Sequence, residues 1–212
     1  MIKKTIYTIG YSGFKEVADF IKALQDNKIT VLVDVRSLPF SSYFYNYNGD
    51  LLSKELKKNG IMYRNYAKEF GARQEDEQYY TDGYLDFSKF TQSEQFKTGM
   101  DKIIAGMDKG YTFVLMCAEK DPITCHRNIM IGRAFFKKGI NVLNILPQGI
   151  EEQKDSQERL RKEYFQNGNY VQTTLFDTAE KTPMTIEDEI EESFKLRNKE
   201  IGFRKNSEDN RK

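Results

Sequence analysis

Both cysteines of the chain and its single histidine fall within one short stretch, C-A-E-K-D-P-I-T-C-H-R, from Cys117 to Arg127. An apolar, β-branched and aromatic run, Tyr111 to Met116, precedes it and predicts a strand buried on both faces. From about Cys125 the spacing of Ile129, Ile131, Ala134, Phe135 and Phe136 turns helical, and Gly139 supplies a stop. A helix N-terminus offers free N–H groups and partial positive charge, so this turn can hold a phosphate or a carboxylate. The same field, with His126 and Arg127 beside it, can lower the pKa of Cys125 and make it a nucleophile. Glu119 and Asp121 lie opposite as acid–base groups. The structural alternative is Cys117 as a small core residue, Cys125 as a buried helix start and His126 bonded to a carbonyl. Zinc is a further use for two Cys, one His and Glu119. However, Cys-x7-Cys-His crowds the ligands and no second donor pair exists, so neither a metal nor a cofactor is expected.

Other polar groups recur where predicted strands end. Lys4 to Ile9 reads as a first strand, followed by a tight Gly10-Tyr-Ser-Gly13 turn and an amphipathic helix from Phe14 to Asn27. Ser12 faces a ligand or caps that helix. The turn lacks the G-x-G-x-x-G of a dinucleotide site. Thr30 to Val35 is a second buried strand with Asp34 and Arg36 at its carboxyl end, and a buried acid requires a partner, either Arg36 or Arg127. The run Ser41 to Asn48 (SSYFYNYN) can stack on a base through rings such as Tyr43, or pack its rings across the sheet. Arg73 follows Phe70-Gly71-Ala72 and opens a Tyr-rich excursion through Tyr84.

The elements that must position these groups alternate. A short helix over Asp50 to Asn59, a strand over Ile61 to Tyr66, a helix from Phe87 to Lys109, a strand over Asn141 to Leu146 and a charged helix from Glu151 to Gln166 complete the pattern. Such alternation predicts an α/β fold: a mostly parallel sheet with helices on both faces, Rossmann-like and three-layered. Right-handed crossovers then bring the loops after Ile9, Val35 and Met116 to one rim, where ligands of open α/β sheets bind. The expected organisation is an α/β domain with the polar site over residues 1–150, a charged helix and extended segment over 151–185, and a short helix (Ile186 to Asn198) with a disordered end over 186–212. Within the extended segment, Gln172-Thr-Thr-Leu175-Phe176 resembles the peptide that docks bacterial DNA sliding clamps; folding of Leu175 and Phe176 back onto the chain's own domain is the alternative.

Composition narrows the class. The 33 Lys and Arg against 32 Asp and Glu leave a net charge of +1, so no global basic field favours bulk nucleic-acid binding and any such contact is local. The start Met1-Ile-Lys-Lys4 is not a signal peptide, and no apolar run is long enough to span a membrane. Two cysteines placed at a strand end and a helix start are not a secreted disulfide framework, so a reduced, cytoplasmic protein is expected.

Five motifs carry a family resemblance: T-I-G-Y-S at Thr8 to Ser12, D-V-R-S-x-P at Asp34 to Pro39, G-I-x-Y at Gly60 to Tyr63, F-G-A-R at Phe70 to Arg73, and the Cys117 to Arg127 segment. In this order, over residues 5 to 150, the chain resembles the domain of unknown function 488 family. The resemblance implies a compact α/β domain with a shared polar site at Ser12, Asp34, Arg36, Arg73, Cys117, Glu119, Cys125, His126 and Arg127, and no settled reaction. The chain departs from that pattern at Ser42, where a basic residue is frequent, and at Ala72, where a second Gly is common; the first weakens a phosphate clamp in that loop.

Two functions follow as expectations. In the first, the chain is an enzyme acting on a nucleotide or nucleic-acid base: Glu119, Asp34, Cys125 and His126 do the chemistry, while Ser12, Arg36, Arg73, Cys117, Arg127 and Tyr43 bind the substrate. In the second, it is a non-catalytic ligand or nucleic-acid module recruited to DNA by the tail peptide. A rhodanese- or phosphatase-type loop is not expected, because such sites need Cys, five residues and then Arg, and neither cysteine is followed by an arginine at that spacing.

Overall fold

A computed structural model of the chain describes residues 4–166 and 184–205. The strands are β1 (Thr5–Gly10), β2 (Val31–Asp34), β3 (Met62–Asn65), β4 (Tyr80–Thr81), β5 (Tyr84–Leu85), β6 (Phe113–Cys117), β7 (Asn141–Leu146) and β8 (Gly149–Glu152). The helices are α1 (Val17–Asp26), α2 (Gly49–Lys58), α3 (Ala67–Phe70), α4 (Phe87–Phe90), α5 (Glu94–Asp108), α6 (Arg133–Lys137), α7 (Gln153–Phe165) and α8 (Ile186–Ile201).

Six strands form one sheet in the order β3-β2-β6-β1-β7-β8, parallel except for the edge strand β8, and β4 pairs with β5 as a separate hairpin. The central strands are apolar on both faces, as their near-continuous Val/Ile/Leu runs require. Ile6, Val33 and Leu115 meet Phe96, Met100 and Ile103 of α5, Phe135 of α6, Leu160 of α7 and Phe194 of α8. Ile9, Leu32, Val114 and Met116 meet Phe20, Ile21 and Leu24 of α1 and Leu52 and Leu56 of α2. Each fully buried Leu, Ile or Phe contributes about 1.5–3 kcal/mol. The result is the three-layer α/β sandwich expected from the alternation.

Neighbouring strands β1 and β6 send their loops to opposite faces: the loop after β1 leads to α1 and the loop after β6 leads towards α6. A crevice opens between two such loops at the carboxyl edge of the sheet, which is where open α/β sheets bind ligands.

Four expected elements differ. The helix placed over Phe87 to Lys109 is two, α4 and α5, because Ser93 leaves the helix and its Oγ accepts from Phe96 N (3.2 Å) as a cap. The charged helix begins at Gln153 rather than Glu151, because Pro147 and Gln148 form a hairpin turn that returns the chain as β8 against β7. The strand and helix around the cysteines are shifted: the strand runs to Cys117, and the helix opens with a wide π-type turn over Arg127–Gly132 before α6. Gly139 adopts φ +79° and ends α6, as a left-handed stop requires.

The last helix is longer than expected and is tied to the domain. Asn198 Nδ2 donates to Leu85 O (2.8 Å), its Oδ1 accepts from Phe87 N (2.8 Å), and Leu85 N donates to Phe203 O (2.9 Å). The clamp-like segment Gln172 to Phe176 and the end expected to be disordered lie outside the described residues. No helix among the described residues is long and apolar enough to cross a membrane.

Candidate active site

Asp34 ends β2 with no solvent exposure. Its partner is built two residues on. Arg36 donates Nε to Oδ1 (2.9 Å) and Nη2 to Oδ2 (2.6 Å), and its backbone N also reaches Oδ1 (3.1 Å). Tyr63 OH from β3 donates to Oδ2 (2.8 Å). Arg36 Nη2 also meets Tyr47 O (2.8 Å), and its guanidinium lies 5.2 Å from the centre of the Tyr11 ring. Burial opposes the charge of Arg36, but Asp34 outweighs it and holds the pKa above the ordinary value. Every hydrogen-bonding direction of Asp34, expected as a general base, is therefore filled, and the carboxylate positions Arg36. Arg36 Nη1 is buried with no hydrogen-bond partner.

Beside it, Cys117 closes β6 and Cys125 opens the helical segment. Cys125 is extended (φ −129°, ψ 136°) while His126 is already helical (φ −58°, ψ −27°), so Cys125 stands at the cap, and Asn128 N and Ile129 N both donate to its carbonyl (3.0 Å each). His126 Nε2 lies 3.0 Å from Val35 O. A carbonyl only accepts, so this nitrogen carries a hydrogen and Nδ1 turns to the sulfurs, 3.8 Å from Cys117 Sγ and 4.0 Å from Cys125 Sγ. Glu119 Oε2 is 2.8 Å from Cys125 Sγ.

These groups set one another's protonation. Burial alone would raise the thiol of Cys125, but the Cys117 S–H, Arg127 and His126 together bring it well below the ordinary value. Cys117 is pushed up, first by its bond to the Cys125 sulfur and then by burial. Burial disfavours charge on His126, yet Cys125 and Glu119 prevail and raise its pKa. Glu119 is raised by burial of its carboxyl end and by the Cys125 charge. As a residue Glu119 is exposed; its stem faces solvent while the carboxyl turns onto the thiol, so solvent damps the shift without reversing it.

Arg127 has another role than the substrate contact expected of it. It is fully buried, and its guanidinium donates to Glu119 O (2.6 Å) and Lys120 O (3.2 Å), with Thr8 Oγ1 at 3.4 Å. It folds the acidic loop over the end of β1, where Gly10 leaves room: a Cβ there would stand 1.8 Å from Glu119 O. Asp121 is likewise structural. It caps the Pro122–Thr124 turn through Ile123 N (3.1 Å) and pairs with Arg159 of α7 (2.7 and 2.9 Å).

Arg36, Arg73, Cys117, Glu119, Cys125 and His126 line one cleft of about 420 Å³. Arg73 arrives on the Gly71 turn, whose missing side chain lets the chain pass 2.4 Å from Ala67 O as a Cβ would measure it; Arg73 N donates to Ser37 Oγ (2.9 Å), and its guanidinium lies 4.9 Å from the Phe203 ring centre. The opposite wall is apolar: Leu38, Phe40, Ile201 and Phe203. The sequence pattern did not mark this wall. Phe40 sits one residue before the aromatic run that drew attention, and Ile201 and Phe203 belong to a segment assigned to the tail. Besides Arg127, two expected contacts lie outside the cleft. Tyr43 is 93% exposed and does not line it. Ser12 does not line it; its backbone N donates to Ala118 O (3.0 Å) and ties the two crevice loops together, while Glu16, not Ser12, holds the cap position of α1.

A family model described as "Domain of unknown function DUF488" matches residues 16–133, and the chain belongs to this family. The match takes in the Asp34, Arg73 and Cys117–Arg127 motifs and begins after Thr8–Ser12. No curated protein and no solved structure matches the chain.

Proposed function

We propose that the cleft is the active site of an enzyme acting on a nucleotide or a nucleic-acid base. The carrying observation is the juxtaposition of the Arg36 side chain, held by Asp34, with the Glu119 carboxyl held at the Cys125 thiol, all three of Arg36, Glu119 and Cys125 lining one crevice at the strand ends. Arg36 and Arg73 suit the oxyanions of a phosphate. Leu38, Phe40 and Phe203 suit the face of a base or ribose. A carboxyl with a raised pKa next to them suits proton transfer to a leaving nitrogen or oxygen. Asp34, Tyr63 and Arg127 hold this arrangement without touching the ligand.

The test is a panel of nucleotides, nucleosides and short single strands offered to the wild-type chain and to Glu119→Gln. Ligand binding is read by thermal shift and turnover by product analysis. The reading expects a shared ligand, bound by both proteins and converted by the wild type alone. Binding without turnover in the wild type would make the cleft a binding module. Absence of binding across the panel would reject the substrate class.

A further inference from the structure

We propose that Cys117, Cys125 and His126 form a three-ligand site for a zinc-class divalent cation, with the remaining coordination position opening on the cleft beside Glu119. The donor atoms Sγ, Sγ and Nδ1 all lie within 4.8 Å of one another, and His126 Nδ1 stands 3.8 Å from Cys117 Sγ and 4.0 Å from Cys125 Sγ. A tetrahedral zinc with sulfur at ~2.3 Å and nitrogen at ~2.1 Å spaces neighbouring sulfur and nitrogen by about 3.6 Å and two sulfurs by about 3.8 Å. The two sulfur-to-nitrogen edges thus stand within a few tenths of an ångström of place before any ion enters, and the two sulfurs lie no more than 4.8 Å apart. The crowding expected of Cys125-His126 does not arise, because the backbone changes from extended to helical between them and lets both side chains converge.

His126 is oriented as a ligand by its surroundings. Its Nε2–H is fixed on Val35 O (3.0 Å), which directs the Nδ1 lone pair at the sulfurs; metal-binding histidines are held in this way by a backbone carbonyl or carboxylate on the far nitrogen. All three donors are buried, which excludes a chance surface cluster. Two thiols and an imidazole select zinc, or another borderline or soft ion, over magnesium and calcium. Glu119 Oε2, 2.8 Å from Cys125 Sγ, is closer than a tetrahedral edge allows. It is therefore assigned not as the fourth ligand but as the hydrogen-bonding neighbour of whatever occupies the open position. A cation bound here makes Cys125 a ligand rather than a free thiol and leaves Glu119 as the acid–base group of the cleft. The assignment concerns metal binding and holds whichever substrate the cleft takes.

The experiment uses the full chain, purified under reducing conditions, stripped with chelator and reloaded with zinc or cobalt(II). The expected result is one metal per chain by elemental analysis, a cobalt spectrum with thiolate charge-transfer bands and tetrahedral ligand-field intensity, and protection of both thiols from a thiol reagent by zinc. Cys125→Ser and Cys117→Ser should each lose the charge-transfer intensity of one thiolate. The site is overturned if the reloaded chain holds no stoichiometric metal, or if zinc leaves the labelling rates of both thiols unchanged. The labelling arm uses the wild-type chain, so a variant that fails to fold does not decide the question.

Discussion

Gly10→Ala tests whether the acidic loop is placed by contact with the end of β1. The strand cannot yield, because it is paired on both sides, Gly10 with Cys117 and Ile9 with Ile145. A Cβ at position 10 would stand 1.8 Å from Glu119 O and 3.1 Å from Arg127 Nη2, and contacts below 3.0 Å are not tolerated, so the loop must retreat by at least about 1.2 Å. That stretches the 2.6 Å bond from Arg127 Nη1 to Glu119 O beyond hydrogen-bond range and strands part of a fully buried guanidinium. Loss of one charge-assisted bond costs about 1.5–3 kcal/mol, and overpacking adds about 1–3 kcal/mol, so a total near 4 kcal/mol is expected. With a urea m-value of about 2 kcal/mol per M, the unfolding midpoint falls by about 2 M. Gly13→Ala is the control, since its Cβ meets only the Pro147 ring and the movable Lys120 chain at 3.1–3.2 Å; it should stay within about 1 kcal/mol. A Gly10→Ala midpoint within about 0.5 M of the wild type would refute the contact as the loop's determinant.

Asp34→Ala leaves Arg36 buried without its counter-charge and should cost about 3–5 kcal/mol in urea unfolding, whereas Tyr63→Phe removes one bond to the same carboxylate and should cost about 1.5–3 kcal/mol. Asn198→Ala strips the partners of Leu85 O and Phe87 N, both buried in the seam that docks α8; a loss of about 2–3 kcal/mol is expected, with faster hydrogen exchange at the Leu85 and Phe87 amides. The folded-state pKa of Glu119 is raised, so its contribution to stability is complete below its unfolded value of about 4.3 and is lost as pH rises through the folded value. The stability of wild type relative to Glu119→Gln should therefore fall across that window in pH-dependent unfolding, and a rise there would reverse the assigned shift.

What the sequence disclosed, and what it hid, follows from the range of the forces involved. Buried parallel strands need continuous apolar runs, so Ile6 to Ile9, Val31 to Val33 and Val114 to Met116 announced the sheet, and its carboxyl edge announced where polar groups would gather. The need of Asp34 for a basic partner was readable from its place in a buried strand, but Arg36 and Arg127 were equal choices, and only the fold selects Arg36. The edge strand β8 was not readable, because Gly-Ile-Glu-Glu has neither alternation nor burial and is held by backbone bonds to β7 and by Arg159 and Ser156 on Glu151, partners that come later in the chain. Nor did residue type separate the three arginines. Arg36, Arg73 and Arg127 looked alike as anion donors, but one has a buried nitrogen to spare, one lies exposed on a ring, and one is consumed by carbonyls of the loop it folds.

That division of labour bears on how the family's motifs should be read. Gly10, Gly71, Asp34 and Arg127 are fixed by close approach or by a buried charge, and none of them lines the cleft. Arg36, Glu119, Cys117, Cys125 and His126 bring unspent donors and thiols to the cleft. A substitution in the first set should lower stability and activity together, because the loop or the guanidinium moves. A substitution of Glu119 should separate the two, since its carboxyl touches Cys125 and supports no element of the fold. Finding that Glu119→Gln unfolds as early as Asp34→Ala would mean that the acid holds the loop rather than serving the chemistry of the cleft.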